Sequence, residues 1–242
     1  MPDLPNASRI GEALLPVPVR AVDAAEEQAW NEAQLAKPVG APLACLWQYP
    51  QAAVVLGRSQ QALLARLDTG RHRTVERRAG GGAVLVGPWL LGVSVVLPLE
   101  DRLLQDVSIA DSYRWLGQLF VTALSRHGVD AVAVSPEQTR KAPAELAWAC
   151  FAGMSPWEIA VDDRKLVGFA QRRSRHGVLL VAGALLEAVP WESLCEAMQR
   201  PQSQAAELAA ATIDATHVLS RPYPIKAFAA TVAGLLQEAL KR

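Results

Sequence analysis

The stretch between residues 157 and 186 constrains the fold most. Residues 157–161 and 165–171 are short apolar runs of β type, separated only by Asp162-Asp163-Arg164. A linker that short reads as a hairpin turn. Residues 177–186 follow as a third apolar run, so the segment reads as a meander. Elsewhere, strands are predicted over 43–49, 52–56, 73–78, 91–97 and 129–134. Helices are predicted over 22–36, 108–126, 191–199 and 225–240. Asp23 is placed to cap the first helix, with Glu26 and Glu27 in its opening turn. In the second, Ile109, Tyr113, Leu116, Phe120 and Leu124 recur at helical spacing. Residues 61–68 read as one or two helical turns, 136–149 as a loop, and 200–223 as irregular or weakly helical. Strands in hairpin-like groups, with helices between the groups, point to an α+β fold rather than a doubly wound sheet.

Composition excludes several functions. The chain has 242 residues, 51% hydrophobic and 20% charged, with 24 Lys+Arg against 24 Asp+Glu. That hydrophobicity excludes a disordered chain, and the zero net charge excludes a general nucleic-acid binder. The three cysteines, Cys45, Cys150 and Cys195, are widely spaced and form no metal-ligand pattern, so no metal site is expected. Free thiols fit the reducing cytosol. Pro16 and Pro18 interrupt the N-terminal leucines, so no signal peptide is read. The apolar runs are too short to span a membrane. Residues 1–21 read as an arm or edge strand, and 22–242 as one domain.

Three places carry possible chemistry, each with an ordinary alternative. Gly80-Gly81-Gly82, after Arg77 and Arg78 and before Ala83, is either a turn between strands or a backbone cradle for an anionic or carbonyl group. Its spacing matches neither a Walker loop nor a dinucleotide fingerprint. Lys165 is either a solvated strand lysine or a carbonyl- or phosphate-binding group. Strand alternation would set it with Val167, Phe169 and Gln171, opposite Leu166, Gly168 and Ala170. Cys150 is either a small buried hydrophobe or a nucleophile, and residue type gives it no advantage over the other two cysteines. Arg172, Arg173, Arg175 and His176 form a basic cluster, either a solvated hairpin end or a contact for an acidic partner.

These segments together resemble a known family. NEA at 31–33, LWQYPQAAVVLGRSQ at 46–60, ERRAGGGAV at 76–84, ACF at 149–151, WEIAVDDRKLVGFAQRR at 157–173 and AGALL at 182–186 are similar to the lipoate–protein ligase and octanoyltransferase superfamily. Its members share the catalytic domain of biotin protein ligases. The resemblance spans roughly residues 22–240. It implies an α+β fold with a mixed, largely antiparallel sheet and helices packed on one side.

It also implies protein lipoylation: transfer of an octanoyl or lipoyl group to a lysine of a lipoyl domain, as in 2-oxoacid dehydrogenase E2 chains or the glycine cleavage H protein. By position, the acyl site falls to Arg77, Arg78, Gly80, Gly81, Gly82, Ala83 and Lys165, with Gly168, Ala170, Gln171 and Gly183 nearby. Cys150 matches the nucleophile of a cysteine-dependent octanoyltransferase branch, whose donor is acyl carrier protein and which needs no cofactor. Lys165 would lower the thiol pKa and manage protons there. The ligase branch instead uses ATP and magnesium, and a non-catalytic acyl-binding homologue is the third reading. The chain ends where a catalytic domain without an accessory domain is expected to end. Four positions depart from the family pattern: Ala79 replaces Thr or Ser, Val86 replaces His, and Ala182 and Ala184 replace the His and Ser of HGSLL.

Overall fold

Asp162 and Asp163 both adopt positive φ, 48° and 59°, the pair of left-handed residues that a two-residue hairpin turn requires. Val161 pairs with Arg164 across them, so the hairpin expected at 162–164 forms. The computed structural model describes residues 16–67 and 72–241. Residues 1–15 of the arm, the end of the 61–68 turn and Arg242 lie outside the described residues.

In chain order the elements are β1 (Val19–Ala21), α1 (Ala24–Gln34), β2 (Leu43–Gln48), β3 (Ala53–Leu56), β4 (Arg73–Glu76), β5 (Val84–Val86), β6 (Leu90–Leu97), α2 (Arg114–Arg126), β7 (Val132–Ala133), β8 (Ile159–Val161), β9 (Arg164–Ser174), β10 (Gly177–Leu185), α3 (Trp191–Ala197), α4 (Ser203–Ala211), α5 (Ala215–Leu219) and α6 (Ile225–Leu240). A 3₁₀ segment, Arg58–Arg66, fills most of the 61–68 region.

The main sheet has the order β1-β2-β6-β10-β9-β8-β7, and a small sheet has the order β4-β3-β5. Among the described residues of the main sheet, β1 and β2 run parallel and the other neighbours are antiparallel. This is the α+β, mixed and largely antiparallel architecture that the resemblance implied. Every residue of β6 is buried, so the sheet is covered on both faces. On β2, Leu46 joins the core under α2 and α6. Its neighbours Cys45 and Trp47 join a second core made with the small sheet, α1, α3 and α4. Helices therefore lie on both faces, not on one side as the resemblance implied, because a strand apolar on both sides needs two covers.

Local differences have local causes. Helix α2 begins at Arg114, not at 108. Asp111–Tyr113 precedes it as a 3₁₀ turn, where Ser108 Oγ donates to Asp111 Oδ2 at 2.7 Å and accepts from Asp111 N at 3.0 Å. Ile109, expected on the apolar face, is 63% exposed. The 200–223 region contains two short helices. Asp214 caps the second by accepting from His217 N at 2.8 Å, and Ala205 and Leu208 of the first are buried in the second core. Helices this short owe their stability to packing rather than periodicity. The 73–78 and 129–134 strands shorten to β4 and β7.

Strand β9 carries a bulge. Ile159 pairs with Val167 and Ala160 with Lys165, leaving Leu166 extra. The bulge breaks the alternation expected of Lys165. Its ammonium reaches the Gly168 side, and a Cβ on Gly168 would lie 3.4 Å from Lys165 Nζ. Among the described residues, no helix is long and apolar enough to cross a membrane.

Candidate active site

The glycine loop is built by its own arginine. Arg77 Nε and Nη2 donate to Gly80 O at 3.2 and 3.1 Å, and Nη2 donates to Gly82 O at 2.7 Å. Arg77 is buried, so it braces the loop and is not a free anion holder. Gly81 has φ +94° and needs glycine. A Cβ on Gly82 would sit 2.4 Å from Trp148 O, so the loop presses directly on the next segment of the site.

That approach delivers the cysteine. Ala83 N donates to Trp148 O at 2.7 Å, and Cys150 N donates to Ala83 O at 2.9 Å. Two backbone hydrogen bonds thus join the glycine loop to the Cys150 turn. The sulfur lies beside the loop: the point a Gly81 Cβ would occupy is 3.2 Å from Cys150 Sγ and 2.9 Å from Arg77 Nη2. Cys150 is half-buried, whereas Cys45 and Cys195 are buried. Burial pushes the Cys45 thiol up to about 11 and raises that of Cys195. Tertiary placement separates three cysteines that residue type left equivalent.

Lys165 is neither solvated nor free. Its Nζ lies 2.7 Å from Glu158 Oε1 and donates to Cys150 O at 3.0 Å and Gly153 O at 3.2 Å. All three ammonium hydrogens are thus engaged, and the lysine ties β9 to the turn that carries Cys150. Its partner Glu158 also accepts from Phe169 N at 2.9 Å and from Ser155 N at 2.7 Å. Sequence reasoning missed Glu158. The signal was a lone carboxylate beside the apolar β8 run, where only a buried partner makes a charge tolerable.

Cys150 borders two cavities. The first encloses about 660 Å³, its open mouth included. Gly168, Ala170 and Gly183 line it as expected, together with Phe151, Val181 and Leu90. Three of the four departures from the family pattern, Ala79, Val86 and Ala182, line it too; Ala184 is buried in the main core instead. At its wall, Tyr49 donates to Glu27 Oε2 at 2.8 Å and Asn31 Nδ2 donates to Oε1 at 3.2 Å. Burial raises the Glu27 carboxyl above its ordinary value.

The remaining candidates spread out. Ala83 is buried under the loop, and a Cβ on Gly80 would meet nothing within 4 Å. Gln171 lines neither cavity; it donates to Ile109 O at 2.9 Å and accepts from Arg173 Nε at 3.0 Å. Arg78 pairs with Glu32 at 3.2 Å, and Arg172 pairs with the same carboxylate. Two arginines from separate motifs therefore meet on one acid. Among the described residues, no three His, Cys, Asp or Glu side chains gather as a metal site.

Residues 23–232 match the model of the lipoyl protein ligase A/B catalytic domain. The octanoyltransferase LipM of Kyrpidia tusciae is 32% identical over 130 residues, 53% of this chain and 47% of that protein. LipM of Clostridioides difficile is 31% identical over 110 residues, covering 46% and 40%. These matches span about half the length of the curated relatives or less. Among solved structures, a lipoate-protein ligase A bound with ATP superposes with TM-score 0.67 at 19% identity, over 93% of this chain and 84% of that one. The bi-partite lipoate protein ligase of Thermoplasma acidophilum, from an archaeal lipoylation system studied with its E2 lipoyl domain, gives 0.69 at 18%, over 93% and 83%. At such identities the likeness concerns the fold. The family model covers most of the chain, including the glycine loop, Cys150 and Lys165, and this protein belongs to the lipoyl protein ligase A/B catalytic-domain family.

Proposed function

We propose that this chain is an acyltransferase of protein lipoylation that carries an octanoyl or lipoyl group as a Cys150 thioester to the lysine of a lipoyl domain. One observation carries the reading: Cys150 Sγ lies against the glycine loop at the border of an apolar cavity. The octanoyltransferases among the relatives support it. The losses at Ala79, Val86 and Ala182 fit it as well, because they leave a lining suited to a hydrocarbon chain.

The step runs as acyl transfer. The Cys150 thiolate adds to the carbonyl of a carrier thioester, and the carrier thiolate leaves and takes up a proton. A neutral lysine amine of the acceptor then attacks the new thioester. An amide forms, the amine loses a proton, and Cys150 returns as thiolate. The N–H groups of Gly81 and Gly82 have no partner among the described residues. They are the donors available to the tetrahedral oxyanion, each such donor being worth about 2.7–4 kcal/mol. Lys165 and Glu158 act by positioning. No nucleotide enters the step. Donor and acceptor would be an acyl carrier protein and a lipoyl domain, the setting the cytosol, and residues 22–242 one catalytic unit.

The test is intact mass after incubation with octanoyl carrier protein, with and without a lipoyl domain. An octanoyl adduct absent from Cys150→Ala supports the reading. Product formed only with lipoate, ATP and magnesium replaces it with a ligase. No modification under any condition leaves an acyl-binding protein.

A further inference from the structure

Cys150 also borders a second cavity, and the two differ in kind. The first is lined mainly by apolar side chains. The second encloses about 1030 Å³, open mouth included, and Thr139, Arg140, Lys141 and Ser155 line it together with Gly81 and Gly82. An aliphatic tail belongs in the first. A chain of amides ending in a charge belongs in the second, where the hydroxyls of Thr139 and Ser155 supply partners.

The charge of that second cavity is positive. Glu158 and Lys165 also border it, but they neutralise one another at 2.7 Å. Arg140 and Lys141 remain. Arg140 gives one guanidinium nitrogen to Asp163 O and keeps its other donors. Lys141 is exposed, with no hydrogen bond or ion pair to a described residue. Two adjacent cations favour an anion and disfavour an incoming ammonium, which separates the acyl donor's arm from the acceptor lysine.

This rim is fastened to the Cys150 turn. Arg140 N donates to Met154 O at 2.9 Å, and Met154 N donates to Arg140 O at 2.8 Å. A Cβ on Gly153 would lie 2.9 Å from Ala142 N, so glycine lets the two segments touch. Gly153 O in turn accepts from Lys165. Paired backbone thus ties the segment that carries the two cations to the turn that carries the thiol.

We propose that this second cavity binds the arm of the acyl donor, a pantetheine ending in a phosphate, with Lys141 and Arg140 as the phosphate contacts. The inference rests on Cys150 being the nucleophile. A nucleotide phosphate shares the chemistry, and the experiment separates the two sources.

The rate of Cys150 octanoylation is followed by intact mass with three thioesters: octanoyl-N-acetylcysteamine, octanoyl-pantetheine and octanoyl-phosphopantetheine. The phosphate is expected to raise the rate about tenfold over pantetheine, the scale of one charge-assisted contact. In Lys141→Ala that ratio falls towards one, while Lys226→Ala, on α6, keeps it. A ratio near one in the wild type, or one that survives Lys141→Ala, overturns the assignment. Modification of the lipoyl domain that requires free octanoate or lipoate with ATP and magnesium, and is lost in Lys141→Ala, reassigns the cations to a nucleotide and also overturns it. Failure of all three thioesters to load Cys150 sinks the nucleophile reading itself, and the arm site with it.

Discussion

The Lys165 ammonium lies 2.7 Å from the Glu158 carboxylate, with both side chains only 2% exposed. A charge so buried survives only if paired and hydrogen-bonded. Lys165 has two further acceptors, the carbonyls of Cys150 and Gly153. The pair is thus a strut between β9 and the cysteine turn. Removing either partner strands the other, and Lys165→Ala should cost about 3–5 kcal/mol of unfolding free energy. A double-mutant cycle with Glu158→Gln should give a coupling of about 2–3 kcal/mol by chemical denaturation. Additive effects would show that the two side chains do not act as a unit.

Two adjacent glycines should respond differently. Gly81→Ala forces a side chain onto φ +94° and into contact with Arg77 Nη2 and Cys150 Sγ. It should lower stability by about 1–2 kcal/mol and slow alkylation of Cys150. Gly80→Ala meets open space and should change the melting temperature little. Equal effects would mean that the loop is not held as described.

Glu27 supplies a pH dependence. Burial raises its carboxyl in the folded state. The native protein therefore holds that proton more tightly than the unfolded chain. The associated stability is full below the ordinary carboxylate range and is lost as pH rises through the raised value. Glu27→Gln should flatten this decline, gaining on the wild type as pH rises. Parallel stability–pH curves for the two proteins would remove Glu27 as the cause.

The apolar cavity should read chain length. Each buried methylene is worth about 0.8 kcal/mol. Octanoyl should therefore load Cys150 roughly fifteenfold faster than hexanoyl at limiting thioester. Ala182, a lining residue, is the place to shorten the cavity. Ala182→Phe should cut octanoyl loading far more than butanoyl loading. A uniform loss for both would place the chain elsewhere.

Arg78 and Arg172 converge on Glu32, and Arg173 and Arg175 lie further along the same hairpin. If an acidic carrier domain docks there, Arg173→Glu should slow transfer from the carrier more at low salt than at high salt. The same loss at every ionic strength would rule out an electrostatic contact.

Local chemistry alone determined a good deal of this protein. The Asp162-Asp163 turn, the capped start of α1 and the β6 run follow from residue type and spacing, because hydrogen bonds and φ preferences act over a few residues. The need for glycine in the loop was legible for the same reason. The start of α2 and the helices within 200–223 were not. A 3₁₀ turn over Asp111–Tyr113, which periodicity does not separate from α-helix, leads into the first, and packing supports the second.

The site depended on contacts between distant segments. Ala83 pairing with Ala149 brings Cys150 to the glycine loop. The bulge at Leu166 turns Lys165 towards Gly168, and Glu158 completes its charge. None of these has a periodic signature. Sequence spacing sets which residues share a face, but burial decides which charge finds a partner and which of three cysteines keeps an open sulfur.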